Sequence, residues 1–257
     1  MKLCIDVGNS HIYGGVFVEG KIDIRFRHAS KECTADELGI FFKNVLRENN
    51  CSSDAIADIG ICSVVPQLDH ALKTACRKYF SIDPFFLHAE VNTGLTIKYH
   101  NPSDVGADRI ANAIAASHLY PNQNLIIIDF GTATTFCTVT AGKHYLGGAI
   151  LPGFRLAMEA LSSNTAKLPA VDIIKANQVI GRSTIESIQS GLFYGALGSC
   201  KELIARIKSN DAVGQDALVL ATGGFAHLFE HEDLFQHLVP DLVLQGIYLA
   251  INTNSYR

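Results

Sequence analysis

The sequence predicts an α/β fold built from two similar blocks. Three observations lead there. A strand, an acidic turn and a second strand are written twice, first in Leu3–Lys21 (LCIDVGNSHIYGGVFVEGK) and again in Ile126–Lys143 (IIIDFGTATTFCTVTAGK). In each block these strands are followed by helices and further strands, the pattern of a sheet covered on its faces. The composition is that of an ordinary globular chain, 48% hydrophobic and 18% charged over 257 residues, enough to bury a substantial core.

The elements follow in order. Leu3–Asp6 is a short apolar run that ends in an acid. Ile12–Val18 follows across GNSH, and Gly20-Lys21 turns the chain into Ile22–His28, so three strands are joined by tight turns. Thr34–Asn50 carries Leu38, Phe41, Phe42, Val45 and Leu46 on a helical face, with Thr34 as N-cap and Glu37 three residues on. Ile56–Val65 reads as a strand stopped by Pro66. Leu68–Tyr79 is a helix with Leu68, Leu72, Ala75 and Cys76 on one stripe, and Phe85–His88 is a short strand. Asp104–Leu119 is helical, with Ile110, Ala113, Ile114 and Ser117 along one side, and Pro121-Asn122 ends the block.

The second block restarts at Leu125. Strands are expected at Ile126–Asp129, Thr134–Thr140, Tyr145–Ile150 and Leu218–Ala221, and helices at Phe154–Leu161, Ser187–Lys208 and Leu242–Asn254. The domains are therefore expected at 1–120 and 121–257, with the final helix free to pack back on the first.

Net charge is -4, which is not the basic footprint of a nucleic-acid binder. No run of about 18 apolar residues suggests a membrane span. Seven cysteines lack CxxC or zinc spacing and read as buried thiols of a reducing compartment. The ten histidines show no metal spacing either. Met1-Lys2 leads straight into a strand without a signal peptide, so the expected location is the cytoplasm.

The chemistry gathers at the turns. In Asp6-Val7-Gly8-Asn9 and Asp129-Phe130-Gly131-Thr132, glycine lets the backbone approach a bulky anion, and the turn N–H groups can cradle phosphate. Asn9, Ser10 and Thr132 can add donors. The carboxylates of Asp6 and Asp129 repel phosphate, so they need a magnesium or monovalent cation in between. Each turn read alone is equally a hairpin with a hydrogen-bonding Asp; the second copy favours the phosphate reading.

Val105-Gly106-Ala107-Asp108-Arg109 opens a helix. Asp108 there either complements the helix dipole or accepts a proton from a substrate hydroxyl, while Arg109 can fork onto a carboxylate or phosphate. Tyr99 is a side wall and hydroxyl donor for the acceptor, or a packing residue. Gly147–Gly153 leads from a strand into a helix and can face phosphate or provide close packing. Ser183 or Thr184 should cap the helix that follows Gly181, with a hydroxyl able to reach substrate. Thr222-Gly223-Gly224 is the kind of turn over which an adenine or ribose lies.

Together these segments closely resemble the type III pantothenate kinases, the CoaX family within the acetate and sugar kinase/Hsp70/actin superfamily. The motifs are DVGNSHI (Asp6–Ile12), NPSDVGADR (Asn101–Arg109), DFGTATTF (Asp129–Phe136), GGAILPG (Gly147–Gly153) and GRSTIESIQSG (Gly181–Gly191). They span essentially the whole chain. The GADR and DFGTATT pair is the specific part, since DxGN alone marks only the wider superfamily.

The resemblance implies two duplicated actin-like, ribonuclease H-like domains with a central active-site cleft. It implies ATP-dependent phosphorylation of pantothenate to 4'-phosphopantothenate, the first step of coenzyme A biosynthesis, by a homodimer that needs Mg2+ and a monovalent cation, K+ or NH4+. Residue by residue, it makes Asp6, Val7, Gly8, Asn9, Ser10, His11, Ile12 and Tyr13 the ATP phosphate loop, with Asp6 also a magnesium ligand. Thr132 matches a further ATP contact. Asp108 matches the catalytic proton acceptor, and Tyr99, Gly106, Ala107, Asp108, Arg109 and Thr184 match pantothenate-binding positions. Asp129 matches the monovalent-cation ligand. Where DxGNT is common, this chain has Asp6-Val7-Gly8-Asn9-Ser10, and Ser10 keeps the hydroxyl. Two other readings are a catalytically inactive regulatory relative and a kinase for another small hydroxy-carboxylate. The intact Asp6, Asp108, Arg109, Asp129 and Thr132 speak against the first.

Overall fold

The computed structural model describes residues 1–254. The chain forms two compact units: Met1–His118 together with the stretch beginning at Asp241, and Leu119–Pro240.

In the first unit, β1 (Lys2–Val7), β2 (His11–Val18), β3 (Lys21–Ala29), β4 (Asp58–Ser63) and β5 (Phe85–Phe86) form a five-stranded sheet in the order β3-β2-β1-β4-β5. β1 pairs antiparallel with β2 and parallel with β4, placing Asp6 beside both Tyr13 and Cys62. Alternate residues of a strand face opposite sides. Leu3, Ile5, Val7, Ile59 and Ile61 belong to one core with α1 (Ala35–Glu48) and α2 (Pro66–Phe80). Thr34 caps α1 through the full capping box with Glu37, so Leu38, Phe42 and Leu46 turn inward. Each such burial contributes roughly 1.5–3 kcal/mol, which outweighs the helix's own marginal stability. Pro66 occupies the first turn of α2, where its missing N–H costs nothing.

The opposite face receives α6 (Leu242–Asn254), with Ile247 and Ile251 lying over Gly60 and Leu244 over Gly15. α3 (Ala107–Leu119) is alanine-rich and buried along almost its whole length, and α6 crosses it so closely that a Cβ on Gly246 would fall 1.9 Å from the Ala111 carbonyl oxygen. Asn254 and Asn92 exchange side-chain to backbone hydrogen bonds at the far end of α6. A short strand, β6, occupies Thr96–Ile97.

The second unit repeats the hairpin start. β7 (Leu125–Phe130), β8 (Ala133–Val139) and β9 (His144–Pro152) are antiparallel neighbours, and β10 (Leu218–Thr222) and β11 (His237–Leu238) extend the sheet in parallel on the other side of β7. α4 (Phe154–Ser163) and α5 (Thr184–Lys208) cover it, with Ile126, Ile128, Phe130, Phe193, Leu197 and Phe229 among the core residues.

Some boundaries differ from those read in the sequence. The helix expected from Asp104 begins at Ala107, because Val105 is extended (φ -78°, ψ 120°) after a separate 3-10 turn at Pro102–Asp104. α5 starts at Thr184, with Ser183 as its N-cap. β9 runs on to Pro152, past the expected end at Ile150, and Gly147 and Gly148 lie inside it as expected. A Cβ on Gly148 would sit 1.7 Å from the Phe136 carbonyl oxygen, so this glycine serves close strand packing rather than a phosphate turn. The two-residue strands β6 and β11 are too short to carry a periodic signal.

Candidate active site

In the first unit, β1 delivers Asp6 to the end of the sheet, where Gly8 N–H closes the turn onto the His11 carbonyl at 3.0 Å. Asn9 and His11 are exposed, whereas Val7 and Ile12 are fully buried, so those two can offer a ligand only their backbone. The Tyr13 hydroxyl donates to Asp241 Oδ1 at 2.5 Å, and Arg25 reaches Asp241 Oδ2 at 2.7 and 3.0 Å. The Arg27 guanidinium lies 4.7 Å from the Tyr13 ring centroid. Burial and then the Asp241 bond push the Tyr13 pKa up to about 12, so it stays a neutral donor. Desolvation pulls Asp241 upward, but hydrogen bonds from Arg25 and Tyr13 prevail and hold it below the usual carboxylate range.

α3 delivers Asp108 in its first turn. The Arg109 N–H donates to Asp108 Oδ1 at 2.7 Å. Burial raises the Asp108 pKa above the ordinary carboxylate value, partly offset by that hydrogen bond and the Arg109 charge. A Cβ on Gly106 would fall 2.6 Å from Asp108 Oδ1, so glycine there makes room for the carboxylate. Arg109 is buried at 6% exposure, with its guanidinium 5.8 Å from the centroid of the Tyr99 ring. Burial, and then the nearby charges of Asp6 and Asp108, push the Cys62 thiol well above its ordinary pKa. The structure thus gathers Asp6, Cys62, Asp108, Arg109 and Tyr99 in one unit.

In the second unit, β7 delivers Asp129 opposite Thr135 of β8 and Thr222 of β10. The Asp129 carboxylate lies against two glycines: Oδ1 would be 2.4 Å from a Cβ on Gly223 and 3.3 Å from one on Gly131. Gly223 has φ +90°, a conformation that favours glycine. The carbonyl oxygens of Gly131 and Thr132 would lie 2.5 and 2.3 Å from a Cβ on Gly153, and Gly153 N–H donates to the Thr132 carbonyl. Thr184 is exposed at the start of α5, where Ser183 accepts from Glu186 N–H.

Among the described residues there is no cluster of three or more His, Cys, Asp or Glu able to hold a metal. Asp6 in the first unit and Asp129 in the second are each a hard oxygen donor of the kind that suits magnesium or an alkali cation completed by phosphate oxygens or water. Sequence reasoning missed Cys62, which a register between β1 and β4 would have revealed. It also missed Asp241, 228 positions from its partner Tyr13, for which no local signal exists.

Two sheets that each open with a β-hairpin carrying an acidic turn make up the actin-like fold. A solved structure of this fold, the activator of the 2-hydroxyisocaproyl-CoA dehydratase from Clostridium difficile with bound ADPNP, aligns over 100% of this chain and 97% of its own, with TM-score 0.56 and 12% identity. The family is narrower. Residues 2–206 match the type III pantothenate kinase model. A type III pantothenate kinase of Legionella pneumophila (strain Paris) is 68% identical over 99% of this chain and 100% of its own. A type III pantothenate kinase 1 of Francisella tularensis subsp. holarctica (strain OSU18) is 46% identical over the same shares. The chain belongs to the type III pantothenate kinase family.

Proposed function

We propose that this protein transfers the γ-phosphoryl group of ATP to the terminal hydroxyl of pantothenate, giving 4'-phosphopantothenate and ADP at the entry to coenzyme A biosynthesis. The observation that carries the reading is family membership along nearly the whole chain, with a partly desolvated carboxylate at the start of α3.

The pantothenate hydroxyl oxygen bonds to the γ-phosphorus as the bond from that phosphorus to the β,γ-bridging oxygen breaks. The electron pair leaves with ADP, and the hydroxyl proton passes to Asp108. A loose transition state asks for positioning more than strong basicity, and a raised pKa makes Asp108 a better proton acceptor than an ordinary aspartate. Arg109, lying by Tyr99, orients the pantothenate carboxylate, and Gly106, Ala107 and Thr184 complete its contacts. The turn from Asp6 to Tyr13 and Thr132 bind ATP. Asp6 would hold magnesium, and Asp129 would hold potassium or ammonium. Bound cations would neutralise charge developing on the phosphates.

The working form on this reading is a homodimer in the cytoplasm. The cysteines remain thiols, in keeping with a reducing compartment. Among the described residues no helix is long and apolar enough to cross a membrane.

The test is a coupled ADP-release assay with ATP, magnesium, potassium and pantothenate. Turnover that disappears in Asp108→Asn supports the reading, and turnover no higher than in that variant refutes it. Equal rates in potassium and sodium would remove Asp129 from its role. Sedimentation as a monomer alone would refute the dimer.

A further inference from the structure

β4 places one residue of the first unit in an unusual position. Cys62 pairs in register with Asp6 across the parallel β1–β4 ladder. By strand alternation both point to the face that carries Gly60, which α6 covers, and away from the α1–α2 core. Two residues beyond Cys62, Val64 lies 3.7 Å from the point where a Gly106 Cβ would stand, and Asp108 Oδ1 lies 2.6 Å from that same point. The end of β4 therefore runs from the Asp6 side to the Asp108 side. Cys62 itself is 0% exposed, beside Asp6 on the same face of the sheet.

We infer that Cys62 is a positioning residue, whose thiol donates to the Asp6 carboxylate and fixes its orientation toward the nucleotide while leaving Asp108 to accept the substrate proton. A buried donor without charge suits that place. A lysine would compete with a cation for Asp6, and an apolar side chain would leave the carboxylate without that donor. Other cysteines, such as Cys4 and Cys76, are equally buried but pair with no carboxylate in the sheet. The kinetic part of this inference rests on the kinase reading above; the spectroscopic part does not.

Three variants separate a donor from a filler. Serine keeps a donor, alanine removes it, and valine removes it while filling the space. Cys62→Ala and Cys62→Val should each lose about 10-fold in kcat, the scale seen when the partner that orients a functional carboxylate is lost. KM for pantothenate should move by less than about 2-fold. Cys62→Ser should recover to within about 3-fold of wild type, since a hydroxyl donates at least as well as a thiol. Independently of turnover, the infrared S–H stretch isolated by subtracting Cys62→Ser from wild type should report a strong hydrogen bond. The same subtraction in the Asp6→Asn background should give a band at higher frequency, because an amide accepts more weakly than a carboxylate. Wild-type kcat in both alanine and valine variants overturns the inference, as does a serine variant as slow as alanine. An S–H band that Asp6→Asn leaves in place overturns it too. Should wild type show no turnover, the kinase reading fails while the infrared comparison still decides whether Cys62 orients Asp6.

Discussion

Gly223→Ala is the perturbation for which the structure supplies the clearest magnitude. Gly223 has φ +90°, and its missing Cβ would fall 2.6 Å from the Phe130 backbone N and C and 2.4 Å from Asp129 Oδ1. Ordinary carbon contacts lie near 3.5–4.0 Å, so the methyl is about 1 Å too close to an immobile strand. Holding a non-glycine residue at that φ costs about 1–3 kcal/mol, and overpacking adds about 1–3 kcal/mol. The expected loss is about 2–6 kcal/mol. At roughly 2–4 °C per kcal/mol for a chain of this size, Tm should fall by about 5–20 °C. The carboxylate, being the movable party, should turn away, so potassium activation weakens together with stability. Gly224→Ala is the internal control: nothing lies within 4 Å of its Cβ position, and both readouts should stay near wild type. Calorimetry with the coupled assay in potassium and sodium measures both. A Gly223→Ala protein that melts within about 2 °C of wild type with an unchanged potassium response would refute the reasoning.

The other predictions are brief. Asp108→Asn should lower kcat by about 10²–10⁴-fold without preventing folding. Because the folded pKa of Asp108 is raised, the native state holds its proton longer than the unfolded state. Wild-type stability therefore declines as pH rises from the ordinary carboxylate range through the folded pKa, and Asp108→Asn should lack that decline and melt higher at neutral pH in pH-dependent melts. Asp241→Asn should cost about 1–2 kcal/mol by weakening the bonds from Tyr13 and Arg25, a figure kept low because Arg25 is half exposed. Asp241 has a depressed folded pKa, so the difference from wild type should shrink as pH falls through that pKa in urea titrations at several pH values. Gly246→Ala should destabilise by about 1–3 kcal/mol because its methyl would meet the Ala111 backbone; a gain in Tm would show that α3 and α6 part easily. Thr34→Ala should cost about 0.5–2 kcal/mol through loss of the capping box, read from chemical denaturation.

Most of the fold was legible because its signals are local. The Thr34–Glu37 box, the helix after Pro66 and the apolar runs of β1, β2, β7 and β8 sit at their expected positions to within a few residues. Errors and open choices arose where the deciding contact is distant. At Gly148 the sequence left phosphate contact and close packing open, and the backbone of Phe136 on the adjoining strand decides for packing. Asp104 looked like the first turn of a helix that the extended Val105 delays to Ala107.

The sequence by itself determined the two acidic hairpins and their order, because turn chemistry and strand propensity act over a few residues. Tertiary structure alone decided which groups meet. Cys62 faces Asp6 only through the β1–β4 register, Asp241 reaches Tyr13 only through the return of the chain into the first unit, and Gly223 admits the Asp129 carboxylate only because β10 lies beside β7. Those pairings depend on sheet order and on which face of each sheet is covered, and neither is carried by any short stretch of sequence.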